Sequence, residues 1–313
     1  MAKFLVTGAA GFIGAAVVRA LAARGDAVAA LDLVSSAPLA ATCSHHANAV
    51  FYAGSITEWP HLAQTVRDFQ PEAIIHCAAL VGLVAAVLAP AETMRVNIGG
   101  SLNVLEVARL YRVPRVINLS SEEIYGPIEP DRIDETYRCR PTLPYGISKF
   151  AVEQLARDYR DLYGVETAHL RTCWVYGPGL PRPRVPKNLI DAALAGRALH
   201  LDGGAEFIVD QIYIDDLVAG IVAAADCPTY HHDSYHISSG EGLPLAESVS
   251  IVNDLVPSAR LSIGSGPYKL SEQVTVVKKA ALDYGRAQRD FGYKPRYSLR
   301  QGLAAYLAAS RAA

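Results

Sequence analysis

Tyr145 and Lys149 stand four residues apart in Tyr145-Gly-Ile-Ser-Lys149, a spacing that puts a phenol and an ammonium on one face of a helix. A tyrosine ordinarily titrates near ~10, so it works as a base near neutral pH only beside a cation, and Lys149 is placed to lower its pKa. Upstream, Val116-Ile-Asn-Leu-Ser-Ser121 reads as a strand that carries Ser121 at its carboxyl end, where sites form in open α/β sheets. From there Ser121 would donate to a substrate oxygen while Tyr145 exchanges its proton. The chemistry of such a set is acid–base catalysis at a carbinol.

Oxidising a carbinol needs a hydride acceptor, and the front of the chain is built to hold one. The apolar run Phe4 to Val6 reads as a buried strand, and the alanine-rich stretch Ala15 to Ala23 reads as a helix. Between them lies Gly8-Ala-Ala-Gly11-Phe12-Ile13-Gly14. In such a turn Gly8 allows the sharp bend, Gly11 a close approach of backbone to pyrophosphate, and Gly14 the packing of helix on strand. The helix N-terminus then offers N–H groups and a positive dipole end to the phosphates. A second apolar run ends at Asp32, eighteen residues beyond Gly14. A carboxylate there accepts from both ribose hydroxyls and repels a 2′-phosphate. Leu33 follows it in place of the arginine that a phosphorylated cofactor would call for. The cofactor these residues predict is NAD.

The elements that must position these groups alternate along the first half of the chain. Strands are predicted at Phe4–Val6, Val28–Leu31, Val50–Ala53, Ala73–His76, Val116–Leu119 and Thr167–Leu170, with helices between them, notably Asn97–Tyr111 and Gly146–Tyr163. This is the pattern of a parallel sheet with helices on both faces. After Arg171 the composition changes. Gly177 to Pro186 holds four prolines and reads as a loop leaving the nucleotide domain. The fold expected is α/β: a Rossmann-type doubly wound parallel sheet with a smaller C-terminal α/β substrate domain. The NAD-binding domain is expected over residues 1–171 with about 210–236. Residues 172–209 and 237–313 are expected to form the substrate domain, closed by a helix from Arg300 to Ala309.

Composition excludes several classes of function. A formal charge of −2 leaves no electrostatic footprint for nucleic acid or an anionic membrane. The longest apolar run, Cys77 to Ala89, is too short to span a bilayer and ends at Pro90. Lys3 and the strand at Phe4 lead directly into a folded motif, so no signal peptide is expected. The five cysteines are odd in number and scattered, as in a cytosolic enzyme with reduced thiols. His45-His46 and His231-His232 read as surface pairs, and no metal site is expected.

Taken together the motifs resemble an extended short-chain dehydrogenase/reductase of the NAD-dependent epimerase/dehydratase family, nearly end to end. The resemblance rests on Thr7 to Gly14, Asp32, His76-Cys-Ala-Ala79, Asn97-Ile-Gly-Gly-Ser101, Ser120-Ser-Glu-Glu-Ile-Tyr-Gly126 and Tyr145 to Lys149. It continues through Leu170-Arg171, Val175-Tyr-Gly-Pro-Gly179, Tyr213-Ile-Asp-Asp216 and Tyr235 to Glu241. It implies that Ser121, Tyr145 and Lys149 form the catalytic triad, with Lys149 also holding the nicotinamide ribose. It further implies that Ala78 and Ala79 line the cofactor with backbone and that Asn97, Leu119 and Cys173 sit beside it. Ser55 and Ile56 fall at the adenine, where the family usually has an aspartate at position 55; a serine can still accept a hydrogen bond there. Glu122 and Glu123 match an acidic pair that performs elimination in the resembling dehydratases. Two such carboxyls can split their pKa values into one acid and one base.

Three departures bear on substrate size. Trp174 stands where members that bind nucleotide sugars usually carry asparagine, and Val209 stands where they usually carry arginine. No Arg-Pro-Gly-Asp-like stretch occurs between Leu261 and Ala281. Losing all three removes many donors that a diphosphate requires. Arg182 and Arg184 in the proline loop are candidate partners for an acidic substrate. The reading is therefore hydride transfer on a free sugar, sugar acid or similar small hydroxy compound. The alternative is a nucleotide-sugar epimerase or dehydratase that recycles NAD internally. The resemblance also implies a homodimer in which Asn97–Tyr111 and Gly146–Tyr163 pair with their copies through residues such as Leu102, Leu105, Leu110, Phe150 and Tyr159.

Overall fold

The apolar runs at the front of the chain pair in parallel, as their continuous Val/Ile/Leu/Ala character requires of strands covered on both faces. The structure, a computed structural model, describes residues 1–312. Along the chain the first elements are β1 (Lys3–Thr7), α1 (Phe12–Ala23), β2 (Ala27–Asp32), α2 (Ala37–His45), β3 (Ala49–Ala53), α3 (Trp59–Phe69) and β4 (Ala73–His76). Then come α4 (Leu83–Leu88), α5 (Pro90–Met94), α6 (Ser101–Leu110), β5 (Arg115–Ser121), β6 (Arg132–Ile133) and α7 (Pro144–Tyr163). After β7 (Glu166–Thr172) follow β8 (Trp174–Tyr176), α8 (Lys187–Leu194), β9 (Ala198–Leu201), β10 (Ile208–Tyr213), α9 (Ile214–Asp226) and β11 (Ser234–Ile237). The chain closes with β12 (Gly242–Pro244), α10 (Leu245–Leu255), β13 (Arg260–Ile263), β14 (Ala281–Leu282), α11 (Gly285–Phe291) and α12 (Leu299–Ala312).

Seven strands form one parallel sheet in the order β3-β2-β1-β4-β5-β7-β11. The order reverses between β1 and β4, so the loops after these two strands part there and open a crevice at their carboxyl ends. Three small sheets make up the rest: β12-β10-β8, β13-β9 and β14-β6. β10 hydrogen-bonds β8 and β12, and α9 after it packs on α1. Buried residues of α1 such as Val17 and Leu21 have no exposed surface, and each such side chain contributes roughly 1.5–3 kcal/mol. Among the described residues no helix is long and apolar enough to cross a membrane.

One expected helix differs in kind. The stretch predicted as a helix from Asn97 starts as a π-turn over Arg95–Gly100 and becomes α-helical at Ser101. The Gly99-Gly100 pair weakens the α ladder there, and a wider turn costs less where side chains are lacking. The turn contains Asn97, whose side chain faces the crevice loop.

Candidate active site

The glycine loop is fitted to the crevice by close contact. Gly8 has φ +69°, and a Cβ on it would lie 2.6 Å from the Ala78 nitrogen, in the loop after β4. A Cβ on Gly14 would sit 2.0 Å from the Gly8 carbonyl oxygen. A side chain at Gly8 would therefore push apart the two loops that bound the crevice, and one at Gly14 would force α1 away from the turn before it. α1 starts at Gly11 with no side-chain cap and no acidic residue in its first turn, which leaves its dipole end for an anion. Asp32 stands across the mouth. Its Oδ2 accepts from the Ala10 N–H at 2.9 Å and its Oδ1 from the Leu33 N–H at 2.7 Å, with Leu33 otherwise exposed. A pyrophosphate and an adenosine ribose fit these donors and this carboxylate, so the residues present suit NAD.

Asn97 ties the neighbouring loop to the π-turn. Its Oδ1 accepts from Leu80 N–H at 2.7 Å, and its amide donates to Leu80 O and to Ser148 Oγ on α7. Ala78 and Ala79 lie half-buried in the loop so held. Ser55 turns its hydroxyl to Thr57, at 2.8 Å, and Ile56 packs on Gly100. These segments lie together along one edge of the sheet. Cys173 differs: its thiol donates to Asp210 at 3.2 Å, which leaves only its backbone for a cofactor. Asp210 also accepts from the Ser239 N–H and hydroxyl, the Gly240 N–H and the Leu282 N–H, five donors in all.

α7 begins at Pro144 and ends at Gly164, and turns Tyr145, Ser148, Lys149 and Val152 inward. Ser121, at the end of β5, is buried with Tyr145 and Lys149, and its Oγ accepts from the Glu123 N–H at 3.2 Å. The phenol of Tyr145 packs among Leu83, Ala86 and Val274, the last from a hairpin in which Leu270 N–H bonds Val274 O. Burial pushes the Tyr145 pKa up to about 12, against the pull of Arg182, Ser121 and Arg184 and with a further push from Glu123. Lys149 donates to Leu119 O at 2.8 Å and lies 6.0 Å from the Tyr145 ring centre, and the two loop arginines also draw the phenol pKa down. Burial brings the Lys149 pKa down to about 8, with Cys77 and Glu153 opposing.

The acidic pair is divided in space. Glu123 forms an ion pair with Lys279 at 2.7 Å, and the lysine has no exposed surface. Glu122 is 1% exposed, and neither of its carboxylate oxygens has a partner. Burial raises its pKa to about 8; Lys279 and Arg184 pull it down and Glu123 pushes it further up. Arg184 stacks on Trp174, 3.9 Å from the ring centre, and burial lowers its pKa to about 10. Trp174 is itself boxed by Phe207 and Tyr268, with all three ring centres 5.6–5.8 Å apart. Arg182 reaches back to Gly82, where its Nη1 would lie 2.6 Å from an added Cβ. All six substrate candidates therefore converge on one place between the large sheet and the C-terminal segments.

The sequence profile of the NAD dependent epimerase/dehydratase family matches residues 4–237. The chain belongs to that family. As a member it is an NAD-dependent enzyme of the epimerase/dehydratase type. Over 309 residues it is 29% identical to a UDP-glucose 4-epimerase of Mycolicibacterium smegmatis, covering 96% of each chain. Its fold is similar to that of a UDP-glucose 4-epimerase of Thermotoga maritima solved with UDP-glucose, with a TM-score of 0.89, 29% identity and 99% of both chains covered. It is also similar to a dTDP-glucose 4,6-dehydratase of Streptomyces venezuelae solved with NAD, with a TM-score of 0.86, 28% identity, and coverage of 99% of this chain and 97% of that one.

For this family member, Asp32 with Leu33 behind it favours NAD over NADP. The expected preference is at least tenfold, about 1.4 kcal/mol. Calorimetry with both dinucleotides checks it, and Asp32→Ala is expected to narrow the gap. Comparable affinities in the wild-type protein would refute the assignment.

Sequence reasoning missed Lys279, Phe207 and Tyr268. A Lys278-Lys279 pair reads as solvated surface, and single aromatic residues read as core. The one signal was negative, the lack of a diphosphate-binding stretch between Leu261 and Ala281, and it marked the segment that supplies Lys279.

Proposed function

We propose that this epimerase/dehydratase family member is a dehydrogenase acting at a carbinol carbon of a free sugar, a sugar acid or a comparably small hydroxy compound. The observation that carries this reading is the wall beside Glu122, where Trp174, Phe207 and Tyr268 pack ring on ring and Arg184 covers the indole. On this reading those rings shorten the pocket beside Glu122. Val209, wholly buried, offers no side-chain donor to a diphosphate. NAD, when bound, supplies the hydride acceptor. Tyr145 takes the hydroxyl proton, Ser121 donates to the same oxygen, and Lys149 holds the nicotinamide ribose. Arg182 and Arg184 meet an acidic group where the substrate has one. We divide the chain after residue 171, near residue 210 and after residue 236, with NAD on the seven-stranded side and substrate on the other. Five free cysteines support a reducing compartment, the cytoplasm.

A second reading, a nucleotide-sugar epimerase or dehydratase with internally recycled NAD, is favoured by the Glu122-Glu123 pair and by the named activities of the relatives. Excess NAD with a panel of sugars, sugar acids and nucleotide sugars separates the two. Net NADH absorbance is expected with a free sugar or sugar acid. UDP-, GDP- and dTDP-sugars are expected to bind poorly, since each missing charge-assisted bond costs ~1.5–3 kcal/mol. Micromolar binding of any of them, with an epimerised or dehydrated product by NMR and no net NADH, would establish the second reading.

The protein is further expected to be a homodimer. Leu102 and Leu110 on α6 and Ile147, Leu162 and Tyr163 on α7 are exposed, which is more apolar surface than these helices need for packing on the sheet. Light scattering at micromolar concentration checks this, and a monomer mass would refute it.

A further inference from the structure

The three groups placed at the reacting centre are all covered. Ser121, Tyr145 and Lys149 are 8%, 8% and 5% exposed, so a substrate reaches the phenol only if something over it moves. The cover is apolar: Leu83, Ala86 and Val274 pack on Tyr145, with Val84, Val87, Leu143 and Leu270 around them. Leu83 and Ala86 belong to α4, which packs on α7. Val274 instead sits on a hairpin between Tyr268 and Val276. That hairpin is held by the Lys269–Thr275 bridge, by Leu270 N–H to Val274 O at 2.9 Å and by Val274 N–H to Ser271 O at 3.3 Å. Its two feet are fixed. Tyr268 stacks on Phe207 and accepts at its carbonyl from the Val276 N–H, and Lys279 just beyond pairs with Glu123. The tip residues Glu272 and Gln273 are exposed, so buried Val274 and half-buried Leu270 are what the hairpin lays on the site. Fixed feet, few backbone bonds and one apolar contact describe a lid. We propose that this hairpin opens to admit substrate and that Val274, closing over the phenol, is the specificity-determining residue of the site, so that the substrate presents a methyl or other short alkyl group there and not a hydroxymethyl group. The wall is built from side chains without a polar atom, so a hydroxyl set against it gives up its water and gains no partner.

The inference rests on the reading of Tyr145 as the reacting centre and narrows the substrate class to members deoxygenated at that position. Hydrogen exchange on the full chain tests the lid without substrate. The amides of Leu270 and Val274 are expected to exchange at least about tenfold faster than those of α7 and β5. Val274→Ala is expected to quicken them further and leave α7 unchanged. A hairpin that exchanges as slowly as β5 overturns the inference whatever the reaction. Turnover with NAD tests the wall, on matched pairs that differ by one hydroxyl: 3-hydroxybutyrate against 3,4-dihydroxybutyrate, and D-fucose against D-galactose. The deoxy member is expected to have the higher kcat/KM by about 10–100-fold. Val274→Thr, which keeps the shape and adds a hydroxyl, is expected to narrow that ratio with NAD affinity unchanged. Equal turnover within the pairs, or a ratio that Val274→Thr leaves alone, overturns the inference and leaves the dehydrogenase reading standing. If only nucleotide sugars react, the dehydrogenase reading fails instead, and the ratio between UDP-D-fucose and UDP-galactose decides the inference by the same outcomes.

Discussion

Tyr145→Phe is expected to lower turnover by ~10²–10⁴-fold while leaving NAD binding largely intact, since general acid–base catalysis contributes in that range. The substitution keeps the ring that packs on Leu83, Ala86 and Val274 and deletes only the hydroxyl. None of the groups that fit the dinucleotide, Gly8, Gly14, Asp32 and Asn97, touches that hydroxyl. With a pKa of about 12 the phenol holds its proton near neutral pH, and each unit between that value and the working pH costs about 1.4 kcal/mol to overcome. Turnover is accordingly expected to rise with pH in the wild type and to lose that limb in the variant. NADH absorbance with a substrate from the sugar panel gives the rate, and calorimetry gives NAD affinity. Near-normal turnover in Tyr145→Phe would overturn the assignment.

The largest expected effect on stability lies behind the site. Arg171 on β7 is 3% exposed and forks onto Glu153 of α7, which is fully buried, at 2.7 and 3.1 Å. The same guanidinium donates to the Tyr125 hydroxyl and to Glu135 O, while Ser120 donates to Glu153 at 2.6 Å. Burial pushes the Glu153 pKa up, but Arg171, His169 and Ser120 outweigh it and leave the carboxyl below its ordinary value. Arg171→Met removes the nearer of that carboxylate's two cations and leaves it Arg157 at 3.4 Å and Ser120, and breaking one side of a buried pair costs about 3–5 kcal/mol. Urea denaturation measures it. The double variant Arg171→Met/Glu153→Leu is expected to recover much of the loss, since it leaves no unpaired charge. A single-variant loss below about 1 kcal/mol would show that water reaches Glu153.

Much of the fold was legible in the sequence because it is locally encoded. Short β-rich runs of three or four residues marked six of the seven parallel strands, β11 being the exception, and glycine spacing marked the loop after β1. The four-residue step from Tyr145 to Lys149 gave their shared face, and the strand-end position of Ser121 brought it to them. What stayed hidden depends on contacts between distant segments. Lys279 acquires its partner only when the C-terminal segment folds over the end of β5. Trp174, Phe207 and Tyr268 meet from three separate stretches. Arg182 and Arg184, which also draw the Tyr145 pKa down, come from the proline loop, a contact that no spacing rule encodes. The π-turn at Arg95–Gly100 was hidden for the opposite reason, since its residues suit an α-helix almost as well.

The five donors gathered by Asp210 have a mechanical consequence. They join the end of β7, the middle of β10, the Ser239-Gly240 turn and β14, four segments that a hinge between lobes would otherwise be free to shear. Riveted by one carboxylate, these pieces translate as a single plate. The Gly177–Pro186 loop with its two arginines and the Leu270–Val274 hairpin over Tyr145 lie outside the rivet.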